Sequence, residues 1–190
     1  SGVSSYAVTT DEDNTSPAVT FTISDEETPV SGLTVTGTSN NSDLIKSLNI
    51  TKGSDGTCSV TVTPQDNKFG IDTATVTVKD ADNATRSFNI AVTVNPVNDA
   101  PVVTPPSAQT INEDTGTEVL YYTISDIDSG VESIEMTASA SDNSKISSIT
   151  LGGNGADRTV KVIPAKDATG DVTITLTAND KESVNNIGTG

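Results

Sequence analysis

The chain repeats itself. Asp11-Glu12-Asp13-Asn14-Thr15 returns as Asn112-Glu113-Asp114-Thr115, and Thr22-Ile23-Ser24-Asp25 returns 101 residues later as Thr123-Ile124-Ser125-Asp126. Pro64, Gly70 and Asp80 have counterparts 100 residues on, at Pro164, Gly170 and Asp180. A tandem repeat constrains the fold strongly, because whatever one copy builds the other must build too. The copies meet at Val97-Asn98-Asp99-Ala100-Pro101. The expected domains are therefore residues 1–97 and 98–190, each within the usual domain size.

Each copy alternates apolar and polar residues, the period of a strand. In the first, Tyr6 and Val8 begin the series, followed by Val19, Phe21 and Ile23. Leu33 and Val35 come next, then Ile45, Leu48 and Ile50, then Val60 and Val62. Val76 and Val78, then Phe88, Ile90, Val92 and Val94, complete seven strands, A to G. The second copy repeats the pattern through Leu120, Tyr122 and Ile124; Ile134 and Met136; Ile146, Ile149 and Leu151; Val160 and Val162; and Ile174 and Leu176. No stretch keeps a helical period. The expected fold is all-β: two tandem seven-strand antiparallel β-sandwiches, the second lacking most or all of its last strand.

Composition narrows the function. The net charge is −16, which disfavours nucleic acid and anionic membranes, since both reward Lys and Arg. No apolar run approaches the roughly 18 residues of a membrane span, and no basic-then-apolar leader opens the chain, so a secretion signal is expected outside it. There is no His, which removes a Ser-His-Asp triad and any imidazole metal site. The paired acids fall in turns rather than a cleft, so glycosidase chemistry is not expected and the chain reads as non-enzymatic. The glycines of Gly152-Gly153-Asn154-Gly155 precede a strand, not a phosphate-binding helix. Cys58 is the one cysteine, so no disulfide joins two points of the chain. It shares parity with Val60 and Val62 and reads as a small hydrophobe.

Strand order decides which turns share an end of such a sandwich. Asp126 and Asp128 (B–C) and Asp180 (F–G) of the second copy are expected to face the junction from one side. Glu12 (A–B) and Asp66 (E–F) of the first copy face it from the other, and Asn98 and Asp99 lie within it. Carboxylates gathered like this repel one another unless a cation intervenes. Calcium takes 6–8 oxygen ligands in flexible geometry and suits the set better than magnesium or zinc. The plainer reading is that these Asp and Asn residues simply make turns.

The ordered set resembles the cadherin-like and immunoglobulin-like repeats of large bacterial surface proteins. Asn95-Pro96-Val97-Asn98-Asp99-Ala100-Pro101 is similar to the cadherin linker Asp-x-Asn-Asp-Asn-Ala-Pro. Asp126-Ile127-Asp128 resembles the Asp-x-Asp calcium motif after strand B. Glu12 stands where cadherins place a ligand Glu, and Asp66 stands near their Asp-Arg-Glu motif. Gly152-Gly153-Asn154-Gly155-Ala156-Asp157-Arg158-Thr159, with Pro164 and Gly170, resembles a pattern frequent in such bacterial repeats. Asn95 and Val97 replace a linker Asp and Asn, and Gln65-Asp66-Asn67 replaces Asp-Arg-Glu, which implies fewer ions or weaker binding. The resemblance implies an extracellular, bacterial-surface setting, an interdomain Ca2+, and a role in a calcium-stiffened stalk or in cell adhesion. Neighbouring repeats of the same chain are the expected partners. The alternative is a module that binds a surface glycan or host protein, with Tyr121 as its aromatic contact.

The same logic expects half-sites at the far ends: Asp25, Glu27 and Asp80 in one copy, Glu113 and Asp167 in the other. It also expects a piece of a longer array. Strand F of the second copy should have an open edge available for pairing with another chain, and this copy should be the less stable.

Overall fold

The structure is a computed structural model that describes residues 6–182 and 187–190. The chain divides into two compact units, Ser1–Val97 and Asn98–Gly190. Unit 1 contains β1 (Tyr6–Asp11), β2 (Val19–Thr22), β3 (Thr34–Ser39), β4 (Ile45–Lys52), β5 (Thr57–Pro64), β6 (Gly70–Lys79) and β7 (Thr85–Asn95). Unit 2 contains β8 (Val102–Thr104), β9 (Leu120–Ser125), β10 (Glu135–Ala140), β11 (Ile146–Asn154), β12 (Asp157–Pro164), β13 (Ile174–Asn179) and β14 (Ile187–Thr189). Among the described residues, helix is confined to two single 3₁₀ turns, Val30–Gly32 and Asn143–Lys145. No helix among the described residues is long and apolar enough to cross a membrane.

In unit 1, β2-β5-β4 forms one sheet and β1-β7-β6-β3 the other. In unit 2 the sheets are β8-β9-β12-β11 and β10-β13-β14. Strands B, E and D thus face C, F and G, the immunoglobulin-like division of a sandwich. Val60 lies opposite Val19 and Ile50 in register, and all the inward positions of β5 meet apolar partners. Val60, Val62, Val76 and Ile90 are fully buried at the centre of this core. The second core is built likewise around Tyr122, Ile124, Val160, Val162 and Leu176.

The first described strand differs between the units. β1 runs parallel to β7, from Tyr6 opposite Ile90 to Asp11 opposite Asn95. β8 instead pairs antiparallel with β9, Val102 opposite Ser125. Residues 107–112, which match β1, form no strand, because β7 has eleven residues and β14 three. A parallel A strand needs a long G strand to lie against.

β14 also changes the expectation for strand F. Thr177, Ala178 and Asn179 pair with Thr189, Gly188 and Ile187, and Leu176 exchanges both backbone bonds with Gly190. The edge is therefore covered along its second half rather than open. β14 escaped the sequence reading because three residues around a glycine carry almost no period. That glycine is required: a Cβ on Gly188 would lie 1.5 Å from the Pro101 carbonyl oxygen.

Candidate functional site

The turns holding the acids are built the same way in both units. Asp25 Oδ1 accepts from the amides of Glu27 and Thr28, and Asp126 Oδ1 accepts from those of Asp128 (2.9 Å) and Ser129 (2.6 Å). Asp80 Oδ1 accepts from the Asp82 and Ala84 amides, and Asp180 Oδ1 from the Glu182 amide. Short Asp side chains fold these turns by bonding their own backbone two to four residues on.

Unit 2 links five of the seven candidate ligands. Asn98 Nδ2 donates to Asp180 Oδ2 at 2.9 Å, and the Asp99 amide donates to Asp128 Oδ2 at 2.7 Å. The Asp128 amide in turn donates to Asp126, so Asn98, Asp99, Asp126, Asp128 and Asp180 form one connected rim. Asp180 is only 6 % exposed, and Asp126 Oδ2 is buried without a hydrogen-bond partner among the described residues. Asp126, Asp128 and Asp180 form no ion pair among the described residues; the nearby Lys181 pairs with Glu135 instead.

The two candidates of unit 1 go separate ways. Glu12 is 1 % exposed, and its Oε1 accepts from the Val97 amide at 2.8 Å. Its own amide donates to the Asn95 carbonyl, so the acid is fixed against the last residues of the unit. Asp66 is exposed and pairs with Lys46 at 3.1 Å. Its turn still meets the A–B turn, because the Asn67 amide donates to Asp13 Oδ1 at 2.8 Å. Among the half-site residues, Glu113 is exposed and Asp167 donates its amide to Asp114 Oδ1.

Among the described residues no three Asp, Glu or Cys side chains stand grouped as a ready-made metal site. Several of the candidate carboxylate oxygens accept from backbone amides. The donor chemistry nevertheless fits calcium. The set is all oxygen, and the buried, unpartnered Asp126 Oδ2 is a carboxylate atom that a cation would satisfy.

Tyr121 is 74 % exposed and Tyr122 only 3 %, as their parity on β9 requires. Sequence reasoning missed the Asp13–Asn67 and Asp114–Asp167 clasps, although a left-handed Asp or Asn at each of the four positions leaves a trace in the repeat.

No family model matches the chain, and no curated protein matches it. Solved structures are similar over nearly its full length. Protocadherin gamma B2 extracellular cadherin domains 1–5 share 21 % identity at a TM-score of 0.48, over 97 % of this chain and 36 % of that one. Mouse cadherin-23 EC22–24 shares 17 % at 0.46, over 100 % and 62 %. An endo-fucoidan hydrolase of glycoside hydrolase family 107 shares 17 % at 0.41, over 98 % and 27 %. The chain thus spans less than two thirds of each.

Proposed function

We propose that this chain is a non-catalytic pair of extracellular, adhesion-type repeats from a stalk or adhesin of a bacterial surface protein, and that it binds calcium through the acids around residues 97–101. What supports this most is the rim joining Asn98, Asp99, Asp126, Asp128 and Asp180, with a buried carboxylate oxygen of Asp126 in it. The four carboxylates and the Asn98 amide oxygen are the ligands offered by unit 2. In unit 1, Glu12 is held by the Val97 amide and Asp66 pairs with Lys46. Calcium, when bound, supplies the positive charge that lets these carboxylates sit together. The rival reading, a glycan- or host-protein-binding module, rests on the exposed ring of Tyr121. A single ring is a poor sugar platform, so it ranks second.

A thermal melt tests the proposal. Extracellular modules bind calcium at about 10⁻⁴–10⁻³ M, so ~10 mM is a tenfold excess or more. That excess adds about 1.4 kcal/mol, or several degrees at about 4–8 °C per kcal/mol for a domain of this size. Asp126→Asn and Asp180→Asn should remove the shift, and Glu12→Gln reports whether unit 1 contributes. An unchanged melting temperature between chelator and calcium sinks the claim.

A further inference from the structure

The sheet β8-β9-β12-β11 of unit 2 turns one face to the core and the other outward. Register fixes what the outer face presents. Tyr121 lies opposite Thr159, and Thr159 lies opposite Gly152. Two residues from Thr159 along β12 stands Lys161, and two residues the other way stands Asp157, both exposed. Tyr121 is 74 % exposed, and Val119 and Ile163, toward the Lys161 end, are 47 % and 41 % exposed.

Unit 1 shows that the fold does not require this face. Val19 opposite Val60 matches Leu120 opposite Val160, so Ala18, Thr20 and Thr63 stand where unit 2 has Val119, Tyr121 and Ile163. Thr57 and Thr61 stand in place of Asp157 and Lys161. The hydroxyls of that face bond one another, Thr51 to Ser59 at 2.7 Å and Thr15 to Thr63 at 3.0 Å. One frame therefore carries a hydroxyl face in unit 1 and an apolar, charged one in unit 2. Exposed apolar groups gathered on one face mark interaction surfaces.

The charges on the face are arranged in a particular way. β8, β9 and β11 contain no charged residue, and on β12 Arg158 points the opposite way from Asp157 and Lys161. Asp157 and Lys161 therefore cancel on this face of a chain whose net charge is −16. Four residues of strand separate them, about 13 Å at 3.3 Å per residue, so they cannot pair within one copy. Neither belongs to an ion pair among the described residues.

A twofold axis lying across the strands at Thr159 brings this pattern onto itself. β12 of one copy then runs antiparallel over β12 of the other. Lys161 lies over Asp157 and Asp157 over Lys161, and the two Tyr121 rings meet beside Thr159. Such a contact is isologous, the same patch serving both partners. Facing sheets pack about 10 Å apart, a gap that a Lys and an Asp side chain span together.

We propose that unit 2 pairs with a second copy of this chain through this face. The two Lys161–Asp157 pairs set the register and Tyr121 supplies the apolar contact. Four strands about 4.8 Å apart and seven residues of about 3.3 Å make a face of roughly 15 Å by 20 Å, which places the pair at the small, transient end of interfaces.

Sedimentation velocity tests this with the whole chain at concentrations up to ~1 mM, in ~0.15 M salt that screens net-charge repulsion beyond about 8 Å. Chelator is present throughout, so the outcome is independent of the calcium claim. The expected result is an average mass that rises with concentration toward that of a dimer. Tyr121→Thr, which installs the residue type of Thr20, should weaken association at least ~tenfold. Lys161→Asp and Asp157→Lys should each do the same, because each sets like charges against one another across the axis. The two charge changes combined in one chain should restore it. All three side chains are exposed, and an unchanged melting temperature checks that each variant is folded. Three results would overturn the proposal: a monomer at every concentration, undiminished association in Tyr121→Thr, or a combined charge variant as weak as the single ones.

Discussion

Cys58 and Arg158 hold the same place in two copies of one strand, and they show how far a single position can diverge inside a fixed frame. Cys58 points into the core at 1 % exposure, with its thiol donating to the Gly56 carbonyl at 3.7 Å. Burial is the largest influence on this thiol and pushes it up, away from the reactive thiolate. It should therefore resist a thiol reagent at neutral pH and react only as unit 1 unfolds. Fast labelling of the folded chain would contradict this. Residue-level inference from sequence worked here because parity alone decides whether a strand residue faces in.

At the scale of elements, both units share two devices. One is a register slip at Ile45/Ser47 and again at Ile146/Ser148. It explains why the inward residues Ile45, Leu48 and Ile50 are spaced three and then two apart: a bulge inserts one extra residue. The other is a side-chain bridge from the A–B turn to strand E. Ser16 Oγ accepts from the Val62 amide at 2.9 Å, and Thr117 Oγ1 from the Val162 amide at 3.1 Å. Each hydroxyl replaces a ladder partner that strand B, starting later, cannot supply. Ser16→Ala would leave a buried amide unpaired and should cost about 1–3 kcal/mol, read as a lower denaturation midpoint. Ser16→Thr should keep most of the stability, since unit 2 already uses Thr at this place. Alternation along the chain marks the strands but not these bridges, because a hydroxyl looks the same in a turn as in a sheet.

At the scale of the whole molecule, the two units have unequal cores. Fourteen buried apolar residues form the first and eight the second among the described residues. Unit 1 also closes its end with Phe88 stacked edge-on to Phe21 at 4.9 Å and tilted against Tyr6 at 5.0 Å. In unit 2 the place opposite Leu176, matching Phe88 opposite Val76, belongs to Gly190. Apolar burial is the main favourable term in folding, so unit 2 should unfold at lower urea than unit 1. NMR signals of Ile124 and Val160 should vanish before those of Val60 and Ile90; simultaneous loss or the reverse order would refute the ranking.

The sequence by itself determined the repeat, the all-β class, the inward face of nearly every strand and the residues that make the acidic turns. These follow from spacing of two along a strand and from the short-range bonding habits of Asp and Asn, which are local. Only the tertiary structure decided which partner strand A takes, how far strand F is covered, and where each acid points. Asp66 turned to Lys46, Glu12 turned to the Val97 amide, and Asp126 was left with a buried oxygen. Those outcomes depend on which groups from distant parts of the chain compete for the same atom, and the alternation of residues along a strand does not record that competition.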